Sequence, residues 1–220
     1  DADRNGIEDD NIANSWFIGK PIRVAYDYIF NGIYQEGDTD IPAGWSPGYV
    51  RVKTFNADGK VTPTDRRVIG QLDPKYRWSL NNTFRYRNWT LSVFVNSMQG
   101  WISPFEIKPY YPGRPLSFFD VGYWTVENKS NTRPSLVYTN PLGQSFYISR
   151  NFVRIQDVSL SYTFNPKVLS SLNISNLKAF ASVKNLYTFT DWPGYDPETG
   201  SQAGGYPLSR TIMTGVSISF

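Results

Sequence analysis

Asn56, Asp58, Gly59 and Asp65 stand where a calcium-binding loop wants its ligands and its tight turn. Such loops take side-chain oxygens at positions 1, 3, 5 and 12, a backbone carbonyl at 7 and a glycine at 6. Counted from Thr54, the segment supplies Asn56, Asp58, Gly59, the Lys60 carbonyl and Asp65 in those places. Thr54 replaces a preferred carboxylate and Asp65 is shorter than the usual glutamate, so the same residues also describe a plain Asx-rich turn. Asp1, Asp3, Asn5 and Gly6 repeat the first half of the pattern, but Ile12 takes the last ligand position, and a solvated turn is expected there.

A second constellation is aromatic. Between Gln99 and Asn151 lie Trp101, Phe105, Tyr110, Tyr111, Phe118, Phe119, Tyr123, Trp124, Tyr138, Phe146 and Tyr147. A connection this long and this aromatic is not expected to be disordered. Its rings suit stacking against sugars, or packing into a core of the loop's own. Trp101, Phe105, Tyr110 and Tyr111 are the candidate substrate contacts, with Trp192 in a second tip, Trp192-Pro193-Gly194-Tyr195-Asp196-Pro197. Glu106, Asp120 and Glu127 lie in the same aromatic loop, and paired carboxylates beside a sugar are what a glycosidase needs. Surface carboxylates are common, however, and no catalytic residue is assigned.

Composition narrows the chemistry. The 220 residues contain no Cys and no His, which removes disulfides, thiol catalysis, Ser-His-Asp triads and most transition-metal sites. Net charge is only +3 with scattered basic residues, so no nucleic-acid footprint is indicated. Mean hydropathy is -0.41 and no run of eighteen apolar residues occurs, which excludes helical membrane spans. A membrane barrel escapes that test, because only alternate residues of each strand face lipid.

The elements that must position these loops read as strands. Ile22 to Tyr34, Tyr76 to Tyr86, Trp89 to Met98, Phe152 to Phe164, Ser175 to Phe189 and Thr211 to Phe220 alternate apolar with polar residues over barrel-strand lengths. In the last, Ile212, Thr214, Val216, Ile218 and Phe220 oppose Thr211, Met213, Gly215, Ser217 and Ser219. A soluble sandwich strand would carry Lys, Glu and Asp on its wet face. Small polar residues on one side, an apolar band on the other and a terminal aromatic suit the closing strand of an outer-membrane barrel. Val153 and Ile155 run out of phase with Val158, Leu160 and Tyr162, which predicts a bulge or a stretch beyond the membrane.

Connections alternate short and long: Arg87-Asn88 and 165–174 against 35–75, 99–151 and 190–210. Outer-membrane barrels pair short periplasmic turns with long extracellular loops. With a periplasmic C-terminus the strand directions are consistent, and Tyr86, Trp89, Tyr162, Phe164 and Phe220 gather at the periplasmic interface. About six strands cannot close a conducting barrel, and an open sheet would expose its edges to lipid. The chain is therefore expected to be part of something larger. A soluble β-sandwich carbohydrate-binding module is the alternative of another class; it shares the strands and aromatics but not the lipid-type faces.

Several stretches together resemble the C-terminal end of the SusC/RagA-type TonB-dependent transporters of the Bacteroidetes outer membrane. They run from Trp16-Phe17-Ile18-Gly19-Lys20-Pro21-Ile22, Tyr26-Asp27-Tyr28 and Gly32-Ile33-Tyr34-Gln35 through Pro47-Gly48, Asn56-Ala57-Asp58-Gly59-Lys60, Asp65-Arg66 and Ile69-Gly70. Tyr123-Trp124-Thr125-Val126-Glu127-Asn128, Phe152 to Phe164, Lys184-Asn185-Leu186, Gly194-Tyr195-Asp196-Pro197-Glu198 and Phe220 follow in order. The resemblance implies a 22-stranded plugged barrel, importing oligosaccharides or, in some members, peptides. It implies a SusD-like surface lipoprotein as cap, with Tyr123 and Trp124 as its interface, and TonB acting through an N-terminal plug that residues 1–220 do not include. Phe220 resembles the signal read by the barrel-assembly machinery. No enzyme activity is implied, and calcium at Asn56, Asp58, Lys60 and Asp65 is the one cofactor under consideration.

Overall fold

In the computed structural model, residues 6, 8–57, 59–105, 122–169, 173–202 and 205–220 are described. The chain divides into two compact units, 1–73 with 101–148 and 74–100 with 149–220. Among the described residues no helix is long and apolar enough to cross a membrane.

The first unit holds short strands. They are β1 (Val24–Asp27), β2 (Phe30–Ile33), β3 (Val50–Val52), β4 (Arg67–Gln71), then β7 (Ile102–Pro104) and β8 (Tyr147–Ser149), whose last residue opens the second unit. They pair two by two, β1 with β4, β2 with β3 and β7 with β8. The long strand expected over 22–34 is thus divided between two sheets. Asp27 explains the break: its carboxylate accepts from the Tyr28 N–H (2.7 Å), the Ser145 N–H (2.9 Å) and the Tyr147 hydroxyl (3.3 Å). The chain is turned there by a local bond and anchored to a segment far away in sequence. Val24 and Ala25, neighbours on opposite faces, are both buried, so this strand has no lipid-type face.

Tyr28, Ile33, Val50, Val52, Trp124 and Tyr138 form the core, with Phe30, Tyr49, Leu142 and Phe146 packed against it. Two glycines let the long connection approach. At Gly48 (φ 87°) an added Cβ would meet the Trp124 ring at 2.5 Å, and at Gly32 (φ 105°) it would meet the Asn131 side chain.

The second unit is one antiparallel sheet in the order β11-β10-β9-β6-β5. Its strands are β5 (Tyr76–Tyr86), β6 (Trp89–Gln99), β9 (Phe152–Thr163), β10 (Asn176–Thr190) and β11 (Thr211–Ser219). The other five expected segments are all here, nearly to the residue. Arg87 takes φ 52° in the two-residue turn joining β5 to β6. A short helix (Pro166–Leu169) occupies part of the β9–β10 connection.

The expected bulge is present. Asp157 pairs with Phe94 but Ile155 with Val95, leaving Gln156 extra, and on the other side the pairing jumps from Lys184 to Tyr187 with Asn185 at φ 54°. The inserted residue returns Val153 and Ile155 to the face of Val158, Leu160 and Tyr162, which resolves the phase slip seen in the sequence.

Candidate functional site

Residues opposite each other across a ladder share a face, so the register divides the sheet into two surfaces. One carries Leu80, Phe84 and Tyr86, Trp89, Leu91 and Val93, Ile155, Val158 and Leu160, Ala179, Ala181 and Val183, and Ile212, Val216 and Ile218. Its paired residues include no Asp, Glu, Lys or Arg. Leu80, Phe84, Ile212 and Val216 are at least half exposed, with Ile212 at 71%. Exposed apolar side chains over a whole sheet face are uncommon unless something apolar covers them.

Aromatics border this surface at both ends. At the hairpin end Trp89 lies 4.8 Å from Tyr162, and Tyr162 lies 5.0 Å edge-on from Phe164. Tyr86 pairs with Trp89 there, and Phe220 stands exposed just past β11. Trp78, Tyr187 and Phe189 border the other end, the last two 4.7 Å apart. An 11-residue strand such as β5 is about 34 Å long and, tilted by about 40°, rises about 26 Å. The apolar band of an outer-membrane barrel is about 25 Å tall.

The opposite surface is polar. Its middle carries hydroxyls and amides, including Asn81, Thr83, Ser92, Ser159, Ser161 and Ser182, interspersed with Phe94, Phe180 and Met213. Arg77 and Arg85 lie towards its two ends, Lys184 faces Asp157 across the β9–β10 ladder, and Arg154 faces Asn96 and Thr188.

Arg154 is the most constrained of these. It is 3% exposed, its Nε donates to Thr188 Oγ1 (3.0 Å), and its terminal nitrogens pair with Asp196 and Glu198 from the β10–β11 connection. Its guanidinium also lies 4.8 Å over the Phe152 ring. Just before β9, Arg150 donates from Nε to the Pro197 carbonyl (2.7 Å). Asp196 in turn accepts the Glu198 and Thr199 N–H groups, both at 3.2 Å. Two arginines at one strand end therefore hold residues 191–201 against the polar face. Nearby, Gln99, Asn151, Phe152, Thr188, Thr190 and Asp191 line an open cleft of about 490 Å³.

The aromatic candidates are placed differently from one another. Trp101, Phe105, Trp124 and Trp192 are all buried, the last at 4% exposure. Trp124 donates from Nε1 to Gln35 Oε1 (2.8 Å), and Trp192 from Nε1 to the Ser201 carbonyl (3.3 Å). Phe105 donates its N–H to the Phe146 carbonyl (2.7 Å). Trp124 thus packs in the core of the first unit beside Tyr28 and Ile33, and Trp192 within its own tip. Tyr123 is half-buried. Tyr110, Tyr111, Glu106 and Asp120 lie outside the described residues, as does Asp58.

At the turn over 54–66, Asn56 Nδ2 donates to the Lys60 carbonyl (3.2 Å), Thr62 Oγ1 (2.9 Å) and Asp65 Oδ2 (3.0 Å). An amide nitrogen thus stands where these oxygens converge, the place a cation would take. The Asp65 carboxylate also accepts from the Phe55 N–H (2.7 Å) and the Thr62 N–H (2.8 Å). Those donors, the Phe55 N–H foremost, hold its pKa below the usual carboxylate range. This is the geometry of the Asx-rich turn, and a metal would require the amide to turn away.

Sequence reasoning missed the roles of Arg150, Arg154 and Asp27. The available signal was an arginine on the strand face that also carries Asp157, Ser159, Ser161 and Thr163, with Asp196 and Glu198 in a later connection.

Comparison with known proteins adds ancestry to this geometry. No protein-family model matches the chain. TonB-dependent receptor P3 of Formosa agariphila is 27% identical over 92% of this chain, and TonB-dependent receptor P39 of the same organism 29% identical over 76%. TonB-dependent receptor SusC of Bacteroides thetaiotaomicron is 22% identical over 75%. The chain spans 22%, 18% and 17% of these relatives' lengths, about a fifth. Among solved structures, the RagAB peptide transporter matches with a TM-score of 0.66 at 20% identity, covering 93% of this chain and 24% of that one. The RagAB peptide importer in its open-open state gives 0.65 at 20% identity, covering 93% and 23%. The chain is a homologue of the TonB-dependent receptors, SusC among them, and takes the all-β, antiparallel fold of a segment of a RagAB-type barrel.

Proposed function

We propose that this chain is the C-terminal portion of an outer-membrane importer, with the N-terminal plug and the remaining strands supplied by the rest of the protein. β5, β6, β9, β10 and β11 form wall, with the charge-free face towards lipid and the hydroxyl-rich face towards the lumen. The observation that carries this is the register itself: one strand set separates an exposed, uncharged apolar surface from a polar one. Among the described residues, β5 and β11 stand at the two edges of the sheet. Unpaired backbone is not tolerated in lipid, so further strands are expected on each side.

The C-terminus lies on the periplasmic side, where Phe220 serves barrel assembly, and the long connections 35–75, 99–151 and 190–210 are extracellular. The cargo is an oligosaccharide delivered with a SusD-like lipoprotein, and TonB supplies energy through the plug. Neutral hydroxyls and amides on the lumen face suit a substrate made of hydroxyls. Peptide import is the second reading, favoured by the likeness to the RagAB peptide importer. No covalent chemistry is assigned to any residue here.

The full-length transporter, expressed in a host lacking its own copy, should remain with outer membranes until detergent is added and should confer oligosaccharide uptake abolished by loss of TonB. Recovery in the soluble fraction would favour the carbohydrate-binding module. Uptake of peptides alone would replace the cargo.

A further inference from the structure

The geometry assigns Tyr195 as a stacking contact for a saccharide ring, held out by the 191–201 loop that Arg150 and Arg154 fasten to the polar face of the wall. This deepens the oligosaccharide reading and rests on it. The aromatics of that loop have opposite fates. Trp192 is 4% exposed and is the loop's own core: its indole nitrogen bonds Ser201, and a Cβ on Gly194 would come within 2.5 Å of it. Tyr195 stays 38% exposed.

What distinguishes Tyr195 from other exposed rings is its backbone. Its N–H donates to the Ser201 carbonyl (3.0 Å), and Asp196 beside it bridges to Ser201. Asp196 is 3% exposed, takes the Glu198 and Thr199 N–H groups and pairs with Arg154. Pro197 fixes the next φ and restricts Asp196 as well. Tyr206, at 91% exposure, has no such anchoring among the described hydrogen bonds.

A ring on an immobilised backbone loses only its own two side-chain torsions on binding, which lowers the ordering cost of a contact. Its flat apolar face suits the C–H face of a pyranose. Asp191 and Thr199 are exposed polar residues in the same loop, as a sugar's hydroxyls require. An apolar ring with a few polar neighbours is the usual make-up of a small-ligand contact.

The test uses the full-length transporter purified in detergent. A glycan array identifies the strongest saccharide ligand, a tryptic peptide pool is run beside it, and calorimetry then titrates that saccharide. Tyr195→Ala and Tyr195→Leu, which removes the ring but keeps bulk, should each weaken binding about 10-fold. Tyr195→Phe should restore it, and thermal unfolding should not shift in any of them. Wild-type affinity in both the Ala and Leu variants would overturn the inference while leaving saccharide import standing. A wild-type protein that retains peptides and no saccharide would overturn both.

Discussion

Residues 22–34 and residues 76–99 alternate apolar with polar side chains in much the same way, yet one becomes two short strands of a buried core and the other a hairpin with exposed Leu80, Phe84 and Trp89. The difference lies in what crosses the pattern. In 22–34, Asp27 turns the chain and Gly32 admits the Asn131 side chain, so both faces are covered by a returning loop. In 76–99 the register runs unbroken from Tyr76–Gln99 to Tyr86–Trp89, and every polar residue falls on one side except Asn82, Ser97 and Gln99. Period two indicates a strand; it does not say whether its apolar face meets protein or lipid.

The sharpest separation of the two regions should come from Arg154→Ala. Removing a buried cation leaves the 3% exposed Asp196 without its partner, a change that costs about 3–5 kcal/mol in other proteins. Hydrogen exchange should show residues 192–201 released while the amides of Val50 and Val52 stay protected. A smaller effect is expected for Val158→Arg, about 2–4 kcal/mol if it sits near the bilayer midplane, whereas Ser159→Arg next to it should be tolerated. Urea titration of the refolded barrel would read both. Equal damage would remove the distinction between the faces.

In the first unit, Ile33→Val should cost about 0.5–1.5 kcal/mol, since Ile33 is 2% exposed in a packed core. Thermal unfolding should show it, and a silent change would mean that this core is not tightly packed. The smallest effect concerns pH. The pKa of Asp65 is lowered in the folded turn, so its stabilisation is present above the ordinary carboxylate pKa and is lost as pH falls through the lowered value. Amide protection at Phe55 and Thr62 should therefore persist through mild acid and vanish only below it.

The sheet was legible because its strands are long and regular: the expected and observed limits of 76–86 agree, and the bulge announced itself as a phase slip at Val153 and Ile155. The candidate site was much less so. Tyr195 and Trp192 lie three residues apart in one aromatic tip, and only the Gly194 contact and the Ser201 carbonyl decide which ring is buried. Likewise, Asn56 and Asp65 match a metal loop by type and spacing, while the direction of one amide nitrogen makes a self-contained turn. Such choices rest on contacts between residues far apart in sequence, or on a side-chain rotation, and neither leaves a periodic mark.

The central claim is that adjacent residues of β9 face lipid and water in turn. The 220 residues hold no cysteine, so single cysteines at Val158, Ser159, Leu160 and Ser161 can be introduced into the full-length transporter, with any native cysteine elsewhere removed, and read in intact outer membranes. Labelled with an environment-sensitive fluorophore, positions 158 and 160 should be quenched by brominated lipid, and positions 159 and 161 by a water-soluble quencher. Uniform quenching of all four from the aqueous phase would contradict the account.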